Sequence, residues 1–154
     1  MDVLVRGRLT TLRPADADDV DRLVAWHADP EVARFWDDET FSRAEMEERL
    51  ARDEVEAWIV EEAAEPVGFL QVHAEGLDMF LIPSARGRGL GPDAARAMTD
   101  YLVHECGRER VTVDPYVWND FAVRAWQRAG FVEVSHHSAD EEHTAPWILM
   151  EFRG

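Results

Sequence analysis

The chain has 154 residues, and its 32 Asp and Glu against 16 Lys and Arg give a formal net charge of −16 at pH 7. This length suits a single domain, expected to span residues 1–154, and the acidity favours cationic partners over nucleic acid or anionic membranes. The sequence contains neither an apolar run of ~20 residues nor a signal-peptide pattern, so we expect a soluble cytoplasmic protein. Cys106 is the only cysteine in the sequence, so we expect no internal disulfide.

The first third of the chain predicts one strand followed by helices. Alternating apolar residues over 3–12 indicate a strand, with Gly7 in a turn or bulge. Helical spacing follows up to an Asp-Pro break, and a short second helix is expected over 30–35. A capping-box pattern at Ser42 then begins a helix that ends near Asp53.

An aromatic and acidic loop, Trp36-Asp37-Asp38-Glu39, separates the second and third helices. Two interpretations stay open for it. Trp36 and Asp37 can form a cation-accepting rim with a stacking surface, because aromatic faces and carboxylates both attract cations. Alternatively, the segment is an exposed loop that Trp36 anchors.

The rest of the chain alternates strands and helices. Apolar runs bounded by turn residues predict a hairpin followed by further strands, while capped segments of helical spacing predict two helices. The strands are expected over 57–60, 67–73, 78–82, 111–114, 132–134 and 147–152, and the helices over 91–105 and 119–129. This order is typical of an α+β domain.

A glycine-rich loop, Arg86-Gly87-Arg88-Gly89-Leu90-Gly91, joins the fourth strand to the next helix. The unpaired N–H groups of a helix start, glycine backbone that permits close approach, and two arginines together indicate a pyrophosphate site. The P-loop and dinucleotide-binding patterns do not fit, because Pro92 follows Gly91 and the glycine spacing differs. The alternative is a glycine turn before a capped helix.

This loop resembles the Arg/Gln-x-x-Gly-x-Gly/Ala acetyl-CoA loop of the GNAT acetyltransferase superfamily. Residues 119–131 resemble that family's Asn-x-x-Ala-x-x-x-Tyr-x-x-x-Gly-Phe signature. The resemblance implies an α+β GNAT fold, with a mixed central sheet of about 6–7 strands splayed between the fourth and fifth, and about four to five helices. It also implies acetyl-CoA as co-substrate. The residues it assigns to this co-substrate are Phe80, Leu81, Arg86, Gly87, Arg88, Gly89, Leu90, Gly91, Asn119 and Trp126, with the Leu81 N–H facing the oxyanion.

Trp126 stands where the signature has a tyrosine, which is commonly assigned as the general acid for the CoA thiolate. An indole does not release a proton at neutral pH. The thiolate therefore leaves without a protein acid, or Tyr116 or water supplies the proton. Because of this replacement, a second interpretation is that the chain is a non-catalytic module that only binds CoA.

Smaller matches resemble the aminoglycoside 6′-N-acetyltransferases within this superfamily. They are Phe35-Trp36, the segment 65–71, Gly76-Leu77-Asp78 and Val113-Asp114-Pro115. They imply acetyl transfer to the 6′-amine of an aminoglycoside, and hence antibiotic resistance. A polyamine, a siderophore amine or a protein N-terminus stays open as acceptor. The residues expected to contact the acceptor are Trp36, Asp37, Glu75, Asp78, Asp114 and Tyr116.

The chemistry requires a carboxylate that binds the ammonium group and takes its proton, because a primary amine is protonated at neutral pH. Asp78 is expected to be the base and Asp114 the amine anchor. Alternatively, Asp78 caps a bulge and Asp114 begins an Asp-Pro turn. His73, His136 and His137 are alternative bases.

The segment 140–143, Asp-Glu-Glu-His, is similar to a metal cluster only superficially. We expect a solvated loop there and no metal site. The sequence does not distinguish a monomer from a homodimer.

Overall fold

The computed structural model describes residues 3–154 of the chain. Its strands are β1 (Val5–Arg6), β2 (Thr11–Pro14), β3 (Glu56–Glu62), β4 (Glu65–Val72), β5 (Leu77–Leu81), β6 (Thr112–Val113), β7 (Phe131–His137) and β8 (Trp147–Phe152). Its α-helices are α1 (Val20–Ala28), α2 (Pro30–Ala33), α3 (Arg43–Leu50), α4 (Leu90–His104) and α5 (Asp120–Ala129).

The helix ends follow from the capping chemistry that the sequence predicted. The Ser42 hydroxyl accepts from the Glu45 N–H, and the Glu45 carboxylate accepts from the Ser42 N–H, which confirms the capping box before α3. Asn119 accepts from the Ala122 N–H and begins α5, which ends at Gly130 in the left-handed region, φ 107°. Within residues 3–154, no helix is long and apolar enough to cross a bilayer.

The strands form two antiparallel sheets, in the orders β1-β2-β3-β4-β5 and β6-β8-β7. The predicted α+β fold with a sheet splayed between the fourth and fifth predicted strands, here β5 and β6, is confirmed. The count differs from the prediction, because the strand expected over 3–12 divides at Gly7 into the hairpin pair β1 and β2.

The carboxylate of Asp93, in the first turn of α4, explains this division. It accepts the backbone N–H groups of Arg8, Leu9 and Thr10 at 2.9–3.0 Å and the Thr10 hydroxyl at 2.7 Å. A turn whose amides bond to a carboxylate cannot continue as a strand, so the chain folds back after Gly7.

We expect Asp93→Ala to lower the free energy of unfolding by about 2 kcal/mol, because several charge-assisted hydrogen bonds are lost together. Urea unfolding measures the change. The matched control is Asp100→Ala on the same helix, whose half-exposed pair with Arg96 should contribute under about 0.5 kcal/mol. Equal effects of the two substitutions would contradict this role of Asp93.

The two sheets meet at one parallel bridge, between Gly76 and Thr112. The Thr112 N–H donates to the Glu75 carbonyl at 3.0 Å, and a Cβ on Gly76 would lie 1.7 Å from the Thr112 carbonyl oxygen. Beyond this bridge β5 stays with β4 while β6 pairs with β8. The strands therefore part immediately after the junction and leave a gap between them.

The alternation of side chains on β4 divides the interior into two cores. Leu70 and Val72 face the larger core with α4 and α5, whereas Phe69 faces a smaller aromatic core under α1 and α3. Phe80 of β5 belongs to the smaller core and is 5% exposed. The side of the sheet that carries α1–α3 is also the side on which polar residues from both sheets converge.

Candidate active site

A cavity of about 250 Å³ lies where β5 and β6 part. The loop after α2, the end of β6 and the loop before β8 complete its walls. Five carboxylate side chains line it against one arginine, Arg49, among the described residues: Asp37, Glu39, Asp78, Asp114 and Glu142. A cavity with this lining favours a cationic ligand.

Asp78 projects from β5 on the same face as Gln71 of β4, its cross-strand neighbour. The Gln71 side-chain amide donates to Asp78 Oδ2 at 2.9 Å, and His73 Nε2 lies 3.4 Å from the same oxygen. The hydrogen bond with Asp78 raises the pKa of His73 above its ordinary value, despite burial of the ring. These two partners orient the Asp78 carboxylate.

Asp114 follows β6 and faces Asp78 across the cavity. Its Oδ2 lies 2.7 Å from His143 Nε2, and His143 Nδ1 lies 2.9 Å from Asp140 Oδ1. Burial and then the negative charge of Asp78 raise the pKa of Asp114, and the hydrogen bond with His143 offsets this only in part. Asp78 and Asp114 are thus each paired with a histidine.

His143 was missed by the sequence reasoning, which treated residues 140–143 only as a superficial metal motif. The structure shows that its side chain is 11% exposed and forms part of the cavity wall. Burial lowers the pKa of His143, but the hydrogen bonds with Asp114 and Asp140 outweigh burial and raise it. The Asp-x-x-His spacing was the available signal, because it places a carboxylate within reach of a ring nitrogen.

The other histidines suggested as bases have different positions. His136 and His137 lie at the exposed end of β7 and do not line the cavity, whereas His73 contacts Asp78. Among residues 3–154, no group of three or more His, Cys, Asp or Glu side chains is arranged to hold a metal ion.

Tyr116 and Asp37, both predicted as acceptor contacts, meet at the cavity rim. The Tyr116 hydroxyl donates to Asp37 Oδ1 at 2.5 Å. The Tyr116 ring stacks on Trp118, with centroids 5.8 Å apart, and Trp118 stacks in turn on Phe35 at the same distance. This aromatic stack, not Trp36, is the exposed flat surface beside the cavity, since Trp118 is 46% exposed.

Three predicted site residues have other placements. Trp36 is 8% exposed and packs its indole against Phe69 and Phe80, so it fills the small core and reaches the cavity only from beneath. Glu75 is exposed, and its side chain does not line the cavity. The Phe80 carbonyl points at β4, because a Cβ on Gly68 would lie 2.5 Å from it. Its backbone therefore does not face the gap between the sheets.

The backbone of Leu81 faces the other way. Ile82 donates its N–H to the Val67 carbonyl of β4. Since backbone groups in an antiparallel pair alternate in direction, the amides of Leu81 and Met79 point toward the gap. The predicted role of the Leu81 amide as a donor at the cavity is consistent with this direction.

The loop 86–91 reaches the start of α4, as predicted. Gly87 and Gly89 have φ of 80° and 79°, and a Cβ on Gly87 would meet no atom within 4 Å, so an open backbone cradle precedes the helix. Arg88 pairs with Glu62 at 2.7 Å on the surface, where such pairs are weak and exchange readily.

The guanidinium of Arg86 contacts backbone within the fold, and its contact with a pyrophosphate stays a prediction. Its guanidinium donates to the carbonyls of Leu81 at 3.1 Å and Glu31 at 2.7 Å and lies over the Phe35 ring. These carbonyls accept two of the five N–H groups of the guanidinium, so Arg86 holds the end of β5 against α2.

Asn119, which precedes α5, and Trp126, within α5, lie on the opposite wall. The Asn119 side chain caps that helix, and the Trp126 ring is 8% exposed and packs edge-on against Phe131 at 5.3 Å. Both residues line the cavity. Of the residues that the structure describes, Tyr116 is the one tyrosine at the cavity, since Tyr101 packs against Trp58.

Comparison with known proteins gives one family and several relatives. The model of the acetyltransferase (GNAT) domain matches residues 9–132. The aminoglycoside N(6′)-acetyltransferase type 1 of Klebsiella pneumoniae is 25% identical over 146 residues, covering 79% of this chain and 73% of the relative.

Two solved structures share the fold. The aminoglycoside acetyltransferase AAC(6′)-Ib, in complex with coenzyme A and kanamycin, has a TM-score of 0.82 at 23% identity, with 92% of this chain and 93% of that chain covered. Spermidine N-acetyltransferase from Vibrio cholerae, in complex with CoA and spermine, has a TM-score of 0.82 at 18% identity, with coverages of 94% and 95%. At these identities the matches show the fold alone.

Proposed function

The chain belongs to the GNAT acetyltransferase family, and we propose that it transfers an acetyl group from acetyl-CoA to a primary amine of a cationic small molecule. The proposed acceptor amine is the 6′-amine of an aminoglycoside, and antibiotic resistance in the cytoplasm is the proposed consequence. The observation that carries this proposal is the cavity at the parted strands, where Asp78 and Asp114 face each other within an acidic lining. Carboxylates on several walls suit an acceptor with several ammonium groups.

The chain offers three features that fit acetyl-CoA, which would supply the activated thioester. The cradle of Gly87 and Gly89 before α4 presents unpaired backbone N–H groups with room for a pyrophosphate. Arg88 can leave its exposed pair with Glu62 to contact an anion. The Leu81 amide, directed at the gap, can donate to the thioester carbonyl as negative charge develops on it.

We propose that Asp114 takes the proton from the amine and that Asp78 anchors the ammonium group. This reverses the roles expected from the sequence. Burial and the charge of Asp78 raise the pKa of Asp114, which suits this carboxylate to take a proton from an ammonium group. Gln71 and His73 orient the Asp78 carboxylate, and an oriented carboxylate suits binding of an ammonium group.

Thiol release from acetyl-CoA with kanamycin, spermine and a peptide amine as acceptors tests the function. We expect turnover of kanamycin with the highest kcat/KM. A higher kcat/KM with spermine would replace the acceptor with a polyamine, for which the acidic lining is equally suited. Turnover of none of these amines would overturn the proposal.

The glycine cradle gives a second test. We expect Gly87→Ala to raise the Kd for CoA about tenfold, because a residue with a Cβ disfavours φ of 80° and narrows the approach to the amides. Isothermal titration calorimetry measures the Kd.

The matched control is Gly107→Ala at the opposite end of α4. Gly107 has φ of 72° and, like Gly87, open space around its Cα. Both substitutions should destabilise the fold by about 1–2 kcal/mol. Only Gly87→Ala should weaken CoA binding, and equal Kd values for the two variants would contradict a cradle at Gly87.

A further inference from the structure

Among residues 3–154, His143 is the one histidine that lines the cavity, and it has a carboxylate at each ring nitrogen. Its Nε2 contacts Asp114 at 2.7 Å on the cavity side, and its Nδ1 contacts Asp140 at 2.9 Å on the solvent side. Asp140 has a half-exposed side chain, whereas that of His143 is 11% exposed. The imidazole is therefore positioned between the proposed base and bulk water.

The surroundings of His143 hold its ring in one orientation. The Trp147 indole stacks on it with centroids 4.1 Å apart and planes 12° apart, and the Tyr116 ring meets it edge-on. Asp140 is fixed in turn, because its Oδ1 accepts the backbone N–H groups of Glu142 and His143 and its Oδ2 accepts the Trp147 indole N–H at 3.1 Å. A ring locked in this way cannot exchange its two nitrogens, so Nε2 always faces Asp114.

The two contacts determine how many protons the ring can carry. A neutral imidazole has one N–H and one free nitrogen. With Nδ1–H donated to Asp140, Nε2 is free to accept a proton from the Asp114 carboxyl group. The imidazolium that results donates from both nitrogens to two carboxylates, which stabilises it.

We propose that His143 is a positioning residue that receives, through Asp114, the proton lost by the acceptor amine. This inference rests on the proposed function. One proton moves from the ammonium nitrogen to an Asp114 oxygen and then to Nε2 of His143, while the Nδ1–H stays on Asp140. Asp114 is left ionised, the amine is left neutral for attack, and His143 returns its extra proton to water after the product leaves.

The proposal requires that His143 be neutral when the acceptor binds. Because its two carboxylates raise the pKa of His143 above the ordinary value of 6.5, kcat/KM should rise with pH through that raised value. The other titratable and charged groups around the His143 ring come from several elements. Asp114 and Tyr116 follow β6, while Asp140 and Glu142 lie in the same loop as His143. His137 lies on the far face of Trp147, and Asp78 and His73 lie across the cavity.

The test is the pH dependence of kcat/KM with kanamycin, between about pH 5 and pH 9, for the wild type and two variants. His143→Gln keeps a polar side chain but cannot hold the proton. The plateau of kcat/KM at high pH should therefore fall about tenfold, and the acid limb, the fall of kcat/KM toward low pH that begins above pH 6.5, should disappear. Asp140→Asn keeps His143 in place but removes one of the carboxylates that raise its pKa. Its acid limb should therefore move to lower pH.

A second measurement does not depend on turnover. In ¹⁵N-labelled protein without substrates, the His143 ring should titrate above 6.5 in the wild type and at a lower pH in Asp140→Asn. The matched control is His137→Gln, which removes the other ring stacked on Trp147, 4.3 Å away, and should leave the acid limb and the His143 titration unchanged.

The outcomes separate the two proposals. Absence of turnover by the wild type would overturn the proposed function and this inference with it. Turnover with the same acid limb in the wild type and His143→Gln would overturn this inference alone, even if the plateau fell, since a purely structural role lowers the rate without moving the limb.

Discussion

Asp114→Asn is expected to lower kcat for acetyl transfer by about 10²- to 10⁴-fold, the range for loss of a general base. The amide keeps the shape of the carboxylate and its contact with His143, so the fold is preserved. It cannot take a proton from the ammonium group. The KM for the amine should change less than kcat, because Asp78 still anchors the acceptor.

Asp78→Asn should give the opposite pattern. The anchoring charge is lost, so the KM for the amine should rise about tenfold, equivalent to ~1.4 kcal/mol of binding, while kcat falls less than in Asp114→Asn. Steady-state kinetics with saturating acetyl-CoA measure both constants. The control is Glu109→Gln, which removes one negative charge from the exposed surface and should leave both constants unchanged.

This comparison decides between the two assignments of the carboxylates. A larger fall in kcat for Asp78→Asn than for Asp114→Asn would restore Asp78 as the base, as the sequence suggested. Unchanged kinetics in both variants would mean that neither carboxylate takes part.

Gly76→Ala is expected to lower the free energy of unfolding by about 3 kcal/mol, which corresponds to roughly 6–12 °C in Tm for a chain of this size. The added Cβ would lie 1.7 Å from the Thr112 carbonyl oxygen and 2.7 Å from its carbon. Both atoms are backbone, so they cannot rotate away as a side chain would. The substitution must separate the strands at the bridge that joins the two sheets.

Gly91→Ala is the matched control for this prediction. A Cβ there would meet the side chains of Leu81 and Met79 at 3.6 Å, an ordinary contact, and Ala is favoured over Gly within a helix. We expect this variant to be as stable as the wild type or more stable by about 0.5 kcal/mol. Thermal unfolding that is equally affected in Gly76→Ala and Gly91→Ala would show that the bridge at Gly76 is not tightly packed.

Local patterns were sufficient wherever a feature depends on neighbours along the chain. The Ser42 capping box, the Asn119 cap of α5 and the glycine loop before α4 were all predicted from spacing, because capping and left-handed backbone are properties of a few consecutive residues. The order of strands and helices indicated the α+β fold for the same reason.

The spacing of residues along the chain did not predict which backbone groups of β5 point toward the gap. Phe80 and Leu81 are adjacent, yet the Phe80 carbonyl faces β4, while the Leu81 amide points to the gap. The pairing register selects which of two neighbours faces the partner strand, and one sequence does not reveal that register.

By itself the sequence determined the acidic character of the protein, its family resemblance and the two cavity aspartates, Asp78 and Asp114. Only the tertiary structure decided that Asp114 meets His143, 29 positions away, that Tyr116 meets Asp37, 79 positions away, and that Trp36 is buried in the small core. The physical reason is that such contacts arise from how β5 and β6 part and from which loops then cover the gap. Those depend on packing between distant segments and leave no periodic signal in the chain.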